Sequence, residues 1–249
     1  METNQSELQR YPQSSLPRHP LAGVIAVVGC DGSGKSTLTA DLLARLSEKN
    51  HVEWLYLGQS SGNIADWIRS VPVVGAAFAR YLARKAERAH SKKEAAPDTL
   101  TTLVIYLLSR WRAHKFHRLP GLCKRGVIVI TDRYPQAEVP GFYFDGTGLG
   151  AVKAESWLAR KLAARELRLY QWMASHLPTL VIRLNIDADT AHARKPDHKL
   201  SMLRDKTSVI PTLHFNGATI LDLDGRDPYA EVLDASLHAI DAALGKSNT

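Results

Sequence analysis

Hydrophobic and polar residues alternate along this chain in blocks that predict strands and helices in turn. The clearest apolar block is Val-Ile-Ala-Val-Val at 24–28, whose β-branched composition predicts a strand buried on both faces of a parallel sheet. Leu38, Leu42 and Leu46 follow at helical spacing and predict an amphipathic helix over 37–46. The predicted domain therefore opens with a strand and, after a short loop, a helix.

The same alternation continues to the end of the chain. Further apolar runs predict strands at 51–57, 126–131, 178–186 and 218–223. The predicted helices are at 64–89, 97–120, 152–175, 188–195 and 229–244. Proline is expected to kink the first of these helices at Pro72 and to end the second at Pro120-Gly121. Five strands connected by helices predict an α/β fold of three layers, with helices on both faces of a five-stranded parallel sheet.

Length and composition fit one domain with a single insertion. A chain of 249 residues with 45% hydrophobic content can bury a full core. Residues 1–20 are polar and contain three prolines, so we expect a disordered tail followed by a single domain over 21–249 with a helical insertion at about 60–97. No apolar run approaches the ~20 residues that span a bilayer. The two cysteines, Cys30 and Cys123, suit a reducing compartment, so we expect a cytoplasmic protein.

The loop between the first strand and the first helix carries the strongest chemical signal. Residues 29–36 read Gly-Cys-Asp-Gly-Ser-Gly-Lys-Ser and match the phosphate-binding pattern G-x-x-x-x-G-K-[ST] of the P-loop NTPase fold. Glycines let the backbone N–H groups and the positive end of the helix point at one anion. We expect Lys35 to contact the β- and γ-phosphates of ATP and Ser36 to hold Mg²⁺. The expected ATP-binding residues are Gly29, Asp31, Gly32, Ser33, Gly34, Lys35, Ser36 and Thr37.

A second chemical centre is expected at Asp132-Arg133, directly after the apolar run at 126–131. The carboxyl ends of parallel strands share one edge of a sheet, so this pair should lie near the phosphate loop. Asp132 would then either hold Mg²⁺ together with Ser36 or orient the attacking group. Arg133 could fork onto a second phosphate or onto the transferring group.

Three segments together resemble the thymidylate kinase group of nucleoside monophosphate kinases. They are the phosphate loop with its internal Asp31, the Asp-Arg-Tyr triplet at 132–134, and Leu-Asn-Ile-Asp-Ala-Asp-Thr-Ala-His-Ala-Arg-Lys at 184–195. The resemblance covers most of 22–245 and implies ATP-dependent phosphoryl transfer, a mobile lid at about 190–208 and, in many members, a homodimer. By this resemblance Arg194 and Lys195 would start the lid, with Lys199, Arg204 and Lys206 as further cations that reach the phosphates when it closes. The residues expected to take part in catalysis are Lys35, Asp132, Arg133, Arg194 and Arg204.

The resemblance is weakest on the acceptor side. Thymidylate kinases carry an arginine after the second strand, where this chain has Gln59, Ser60 and Ser61. The family also has an arginine on the helix before the Asp-Arg strand. Arg110 is the best positional match for it, and Arg112 is the second choice. The expected acceptor-binding residues are Arg110, Arg112, Arg133 and Tyr134.

Two acidic residues after Tyr134 bear on the identity of the acceptor. Glu138 and Asp145 would repel a phosphate but could accept hydrogen bonds from sugar hydroxyls. We therefore expect thymidine monophosphate to be a poor substrate. The expected acceptor is either a nucleoside monophosphate, whose phosphate Arg110, Arg112 and Arg133 could bind, or a sugar-like or phosphorylated metabolite, and the second is favoured.

The charge distribution leaves a second class of function open. The net charge is +7, with seven basic residues and one acid at 69–93, and six basic residues and no acid at 110–125. Such segments attract anionic substrates, nucleic acid and anionic membrane surfaces. The alternative is a P-loop ATPase that binds nucleic acid or an anionic membrane through these segments and uses ATP as a switch. Few aromatic residues interleave the first segment, which disfavours base stacking there.

Overall fold

The structure is a computed structural model that describes residues 16–58, 99–142, 148–149 and 156–245. The predicted insertion and most of the predicted tail lie outside the described residues, as do Gln59, Ser60, Ser61 and Asp145. The strands are β1 (His19–Gly29), β2 (Val52–Tyr56), β3 (Ile128–Asp132), β4 (His176–Asn185) and β5 (Ile220–Asp224). The helices are α1 (Lys35–Ser47), α2 (Thr99–Phe116), α3 (Arg118–Lys124), α4 (Trp157–Ala174), α5 (Ala188–Arg194), α6 (Leu200–Val209) and α7 (Tyr229–Gly245), and two short 3₁₀ helices cover Ile210–Thr212 and Phe215–Gly217.

The five described strands form one parallel sheet in the order β2-β3-β1-β4-β5, which confirms the predicted architecture. Tyr56 is in register with Asp132, and Asn185 is in register with Asp224. The carboxyl ends of the strands therefore line one edge of the sheet. In a sheet of this kind that edge is where ligands bind.

Helices cover both faces of the sheet and complete the three layers. On one face, Leu38 of α1 and Ile240 of α7 pack against alternate residues of β1 and β4. On the other face, Phe116 of α2 and Tyr170 of α4 belong to a second buried cluster. Alternation along the central strands supplies both cores, as expected for strands that are covered on both sides. None of the helices in the described ranges is long and apolar enough to cross a bilayer.

Two boundaries differ from those predicted. β1 begins at His19, where it pairs with His176 of β4, so residues 19 and 20 belong to the sheet rather than to the tail. α2 ends at Phe116, and Pro120-Gly121 lies inside α3 instead of ending a longer helix. Proline is accepted there because backbone nitrogens in the first turn of a helix have no intrahelical partner. The break between the two helices lets α3 pack against β1 and β3.

Candidate functional site

The phosphate loop links the end of β1 to the start of α1. Gly32 and Gly34 have φ angles of 86° and 94°, in the left-handed region that favours glycine. A Cβ atom on Gly32 would also lie 2.9 Å from the backbone oxygen of Ala191 in α5. Both positions therefore need glycine for backbone shape, and Gly32 needs it for close approach as well. The positive end of α1 is left facing the loop, where it favours an anion.

Lys35 opens α1 and turns back into the loop. Its Nζ donates to the backbone oxygen of Cys30 at 2.6 Å, and its side chain is buried. Burial lowers the pKa of Lys35, and the carboxylates of Asp132 and Asp31 oppose that shift. The neighbouring Ser36 is exposed. A buried ammonium close to two carboxylates, beside an exposed hydroxyl at a helix start, fits the phosphates of a nucleotide.

Two cationic side chains and a histidine surround Asp31 inside the phosphate loop. Arg133 Nη2 lies 3.3 Å from Asp31 Oδ1, and Lys206 of α6 forms an ion pair with Oδ2. His198 Nδ1 lies 3.7 Å from the same Oδ2. Burial raises the pKa of Asp31, but the attraction of Lys206, Lys35 and Arg133 outweighs it and holds that pKa below its ordinary value. The loop acid is therefore ionised and tied to both the β3 end and the segment after β4.

The segment expected to form a lid packs directly on the phosphate loop. Arg194, the last residue of α5, donates through Nη1 to the backbone oxygen of Gly225 at 2.8 Å and to that of Gly32 at 3.3 Å. Arg204 lies on the exposed side of α6, whereas Lys206 faces Asp31. Side chains two positions apart on a helix point to nearly opposite sides, which explains why Arg204 and Lys206 differ. The structure thus brings Arg194 and Lys206 to the loop and leaves Arg204 outside it.

Arg133 also borders an aromatic group at the end of β2. Its guanidinium carbon lies 5.8 Å from the centre of the Tyr56 ring, and Lys115 Nζ lies 5.4 Å from the same centre. Lys115 Nζ also donates to the backbone oxygen of Gly58 at 2.5 Å. The carboxyl edge beside the phosphate loop is therefore positively charged around one aromatic ring.

The structure separates the two arginines that were expected to bind the acceptor from α2. Arg110 is exposed, whereas Arg112 is fully buried and donates through Nη2 to the backbone oxygen of Arg133. Arg112 lies four residues after Leu108 and four before Phe116, on the stripe of α2 that faces the core. One side chain therefore faces solvent and the other the interior, so Arg112 is not free to bind an acceptor phosphate, and the role expected of Arg110 stays a prediction.

Tyr134 and Glu138 are also engaged away from the expected acceptor site. The Tyr134 hydroxyl donates to the backbone oxygen of His176 at 2.7 Å, and its ring packs edge-on against Phe116 with the ring centres 5.7 Å apart. Burial raises the pKa of Tyr134 well above its ordinary value. The Glu138 carboxylate accepts hydrogen bonds from the backbone nitrogens of His214 and Asn216, at 2.8 and 3.2 Å. Both side chains are thus used by the fold, which corrects the roles expected from the sequence.

One ion pair that the sequence analysis missed anchors the end of the lid segment. Arg183 of β4 binds Asp222 of β5 through Nε and Nη2, at 2.5 and 2.7 Å. Its Nη1 donates to the backbone oxygens of Ile210 and Leu213, at 3.2 and 2.7 Å. Its hydrogen bonds hold the pKa of Asp222 below its ordinary value. An arginine inside an otherwise apolar strand, with an acid inside the next strand, is the signal from which this pair could have been found.

Comparison with known proteins identifies close relatives. The chain is 58% identical over 223 residues to the uncharacterized ATP-binding protein YghS of Escherichia coli K12, a match that covers 89% of this chain and 93% of that protein. It is 44% identical over 220 residues to the uncharacterized ATP-binding protein YghR of the same strain, covering 88% of this chain and 87% of that protein. No protein-family model matches the chain.

Proposed function

Because the chain belongs to the family of P-loop ATP-binding proteins that includes YghS and YghR of Escherichia coli, we propose that it is an ATP-dependent kinase of the thymidylate kinase type. It would transfer the γ-phosphate of ATP to a small acceptor. The observation that carries the proposal is the convergence of Arg133, Lys206 and Lys35 around Asp31 in the phosphate loop. Positive groups from three parts of the chain suit a reaction in which negative charge spreads over a transferring phosphoryl group.

Each group at the sheet edge has a role in the proposed reaction. An acceptor oxygen forms a new bond to the γ-phosphorus while the bond from that phosphorus to the bridging oxygen breaks, and ADP leaves. Lys35 would bind the β- and γ-phosphates, and Ser36 and Asp132 would hold Mg²⁺, which would neutralise charge on the phosphates. Arg133 and Arg194 supply further positive charge to the transferring group. Asp132→Asn should lower turnover. If excess Mg²⁺ restores most of the rate, Asp132 acts by holding the metal rather than by orienting the acceptor.

The surroundings of Tyr56 favour an anionic acceptor. Lys115 and Arg133 both lie against its ring, so this corner of the carboxyl edge attracts negative charge. Glu138 is bound to backbone nitrogens and no longer argues against a phosphate on the acceptor. We therefore propose a phosphorylated metabolite ahead of a neutral sugar, and we retain the prediction that thymidine monophosphate is a poor substrate.

The contacts at 110–125 weaken the case for the alternative, in which this segment binds nucleic acid or a membrane. Arg112 is buried, and Lys115 is bonded to a backbone oxygen within the sheet edge. Arg118 and Arg125 both lie near Glu53, at 3.3 and 4.0 Å. These contacts reduce the positive charge that this segment offers to a polyanion.

Transfer of labelled phosphate tests the proposal. The protein is incubated with Mg²⁺, γ-labelled ATP and a panel of nucleoside monophosphates, nucleosides, sugars and sugar phosphates. We expect one class of acceptor to take the label, and Lys35→Ala to reduce that transfer by orders of magnitude without unfolding the protein. Lys49→Ala, at an exposed lysine beyond the end of α1, is the matched control and should retain transfer.

Two results would count against the kinase. One is release of the label only as inorganic phosphate with every acceptor. The other is binding to DNA, RNA or anionic vesicles that is tight at low salt, falls steeply as salt rises and responds to ATP, since that combination indicates the switch.

A further inference from the structure

Arg112 is a fully buried arginine for which the proposed reaction has no direct use. Its side chain is 0% exposed, and a buried guanidinium is costly unless its N–H groups are satisfied. It lies on α2, two residues from the exposed Arg110. The partners of its N–H groups show what this buried charge does in the fold.

The two ends of the Arg112 guanidinium reach different parts of the protein. Nη2 donates to the backbone oxygen of Arg133, at the end of β3. Nη1 donates to the hydroxyl of Tyr170 on α4 at 3.2 Å, and the guanidinium carbon lies 5.5 Å from the centre of the Tyr170 ring. A planar fork reaches the two partners from two separate nitrogens, whereas an ammonium has only one nitrogen from which to donate.

Buried polar groups behind Arg112 make this arrangement rigid. Tyr170 is itself 0% exposed, and Glu166 lies one helical turn before it on α4, also 0% exposed. Glu166 accepts a hydrogen bond from the Ser109 hydroxyl of α2 at 2.6 Å and one from the backbone nitrogen of Leu149 at 2.7 Å. The interface between α2 and α4 is thus locked by side chains that each have a defined partner.

The group that Arg112 holds is in a strained conformation. Arg133 has a φ of 61°, in the left-handed region that side chains other than glycine rarely adopt. Such a conformation persists where surrounding contacts enforce it. The same residue points its guanidinium to Asp31 in the phosphate loop, 3.3 Å away. A relaxed backbone at Arg133 would aim that guanidinium elsewhere.

We propose that Arg112 is a positioning residue for Arg133. Its hydrogen bond to the Arg133 backbone oxygen keeps that residue left-handed. The Tyr170 contact keeps Arg112 in place, and the Ser109–Glu166 hydrogen bond holds the two helices together. The guanidinium of Arg133 is thereby aimed at the phosphate loop. The consequence for turnover rests on the proposed kinase function, whereas the consequence for backbone conformation does not.

A stability comparison at position 133 tests the conformational part without any activity. Arg133→Gly and Arg133→Ala are each made in the natural protein and in Arg112→Met, and the urea midpoints of the four proteins are compared. With Arg112 present, we expect the glycine variant to unfold at higher urea than the alanine variant, because only glycine accepts a left-handed φ without strain. In Arg112→Met the gap between the two midpoints should fall by at least half. The effect of glycine on the unfolded chain is the same in both backgrounds and cancels.

An unchanged gap between the glycine and alanine variants would overturn the proposal. If Arg112→Met does not fold, Arg112→Lys replaces it in the same comparison, because it keeps the buried charge but lacks the fork. Arg118→Lys, at an exposed arginine that pairs with Glu53, is the matched control and should leave the gap as it is.

Turnover provides the second measurement. Arg112→Lys should lower kcat by about tenfold or more while the ATP Kd changes less than about twofold, because the change acts through Arg133. In an Arg133→Ala background the same substitution should cause no further loss of kcat. Losses that multiply in the double variant would show that Arg112 acts independently of Arg133 and would overturn the proposal. If no acceptor takes phosphate at all, the kinase function fails, and the stability comparison still decides the role of Arg112.

Discussion

Replacing Tyr134 with phenylalanine is expected to weaken the fold without changing ligand binding. The substitution removes one buried hydroxyl, which donates to the backbone oxygen of His176 at 2.7 Å. The ring is retained, so its edge-on contact with Phe116 is retained as well. The loss is therefore one partly buried hydrogen bond, together with the cost of the carbonyl that it leaves behind.

The size of the effect follows from that single bond. A hydrogen bond contributes about 1 kcal/mol net, and a buried carbonyl left without a partner costs about 1–3 kcal/mol. We therefore expect the free energy of unfolding of Tyr134→Phe to fall by about 1–3 kcal/mol. For a chain of 249 residues, each kcal/mol lowers Tm by about 2–4 °C, so Tm should fall by about 2–12 °C.

Urea unfolding followed by tryptophan fluorescence, with an ATP titration and acceptor kinetics, measures both sides of this prediction. The matched control is Tyr229→Phe. Tyr229 is 41% exposed, and its hydroxyl contacts the Asp41 carboxylate at the surface, where water replaces a lost partner. This control should lose less than about 1 kcal/mol.

The opposite pattern in Tyr134→Phe would show that the hydroxyl does not support the fold. If the variant keeps its full stability but its acceptor KM rises tenfold, the hydroxyl binds substrate as the sequence resemblance first suggested. Equal losses of stability in both tyrosine variants would show that burial does not set the cost.

Other contacts of the site and its supports give further predictions. Arg194→Ala should lower kcat on the order of 100-fold, because this side chain reaches the phosphate loop, whereas Arg204→Ala should cost much less, as steady-state kinetics would show. Glu138→Gln should lower the free energy of unfolding by about 1.5–3 kcal/mol and leave the acceptor KM unchanged, because the carboxylate binds backbone nitrogens. The hydrogen bonds from Arg183 lower the pKa of Asp222, so their contribution is present above about pH 4 and is lost as pH falls through the folded pKa. Urea unfolding from pH 7 down to pH 3 should therefore show the advantage of the natural protein over Asp222→Asn staying constant to about pH 4 and decreasing below it, and an advantage that stays constant throughout would contradict this.

The features predicted correctly are those specified by residues close together in the chain. β-branched runs identify the strands, and eight consecutive residues identify the phosphate loop. Alternation of strands and helices then fixes a parallel sheet, which brings Asp132 to the same edge as the loop. Proline was a weaker guide, because Pro120 is accommodated in the first turn of α3.

Side-chain direction after a strand and pairing between distant residues could not be predicted. Tyr134 and Arg133 are adjacent, yet one enters the core and the other approaches the phosphate loop, because Arg133 turns the backbone at a φ of 61°. Lys206 and Asp31 are 175 positions apart, and no local pattern encodes their pairing. Arg112 is the instructive exception, since its spacing from Leu108 and Phe116 already places it on the buried stripe of α2.

The most direct test of the account is to follow the γ-phosphate in a complete mixture of small metabolites. The protein is incubated with Mg²⁺, γ-labelled ATP and a metabolite extract, and the products are separated and identified by mass spectrometry, with Lys35→Ala in parallel. We predict one labelled organic phosphate that forms with the natural protein, is absent with the variant, and is not thymidine diphosphate. Label found only in inorganic phosphate, or in the same products with both proteins, would contradict the proposal that this protein is a kinase.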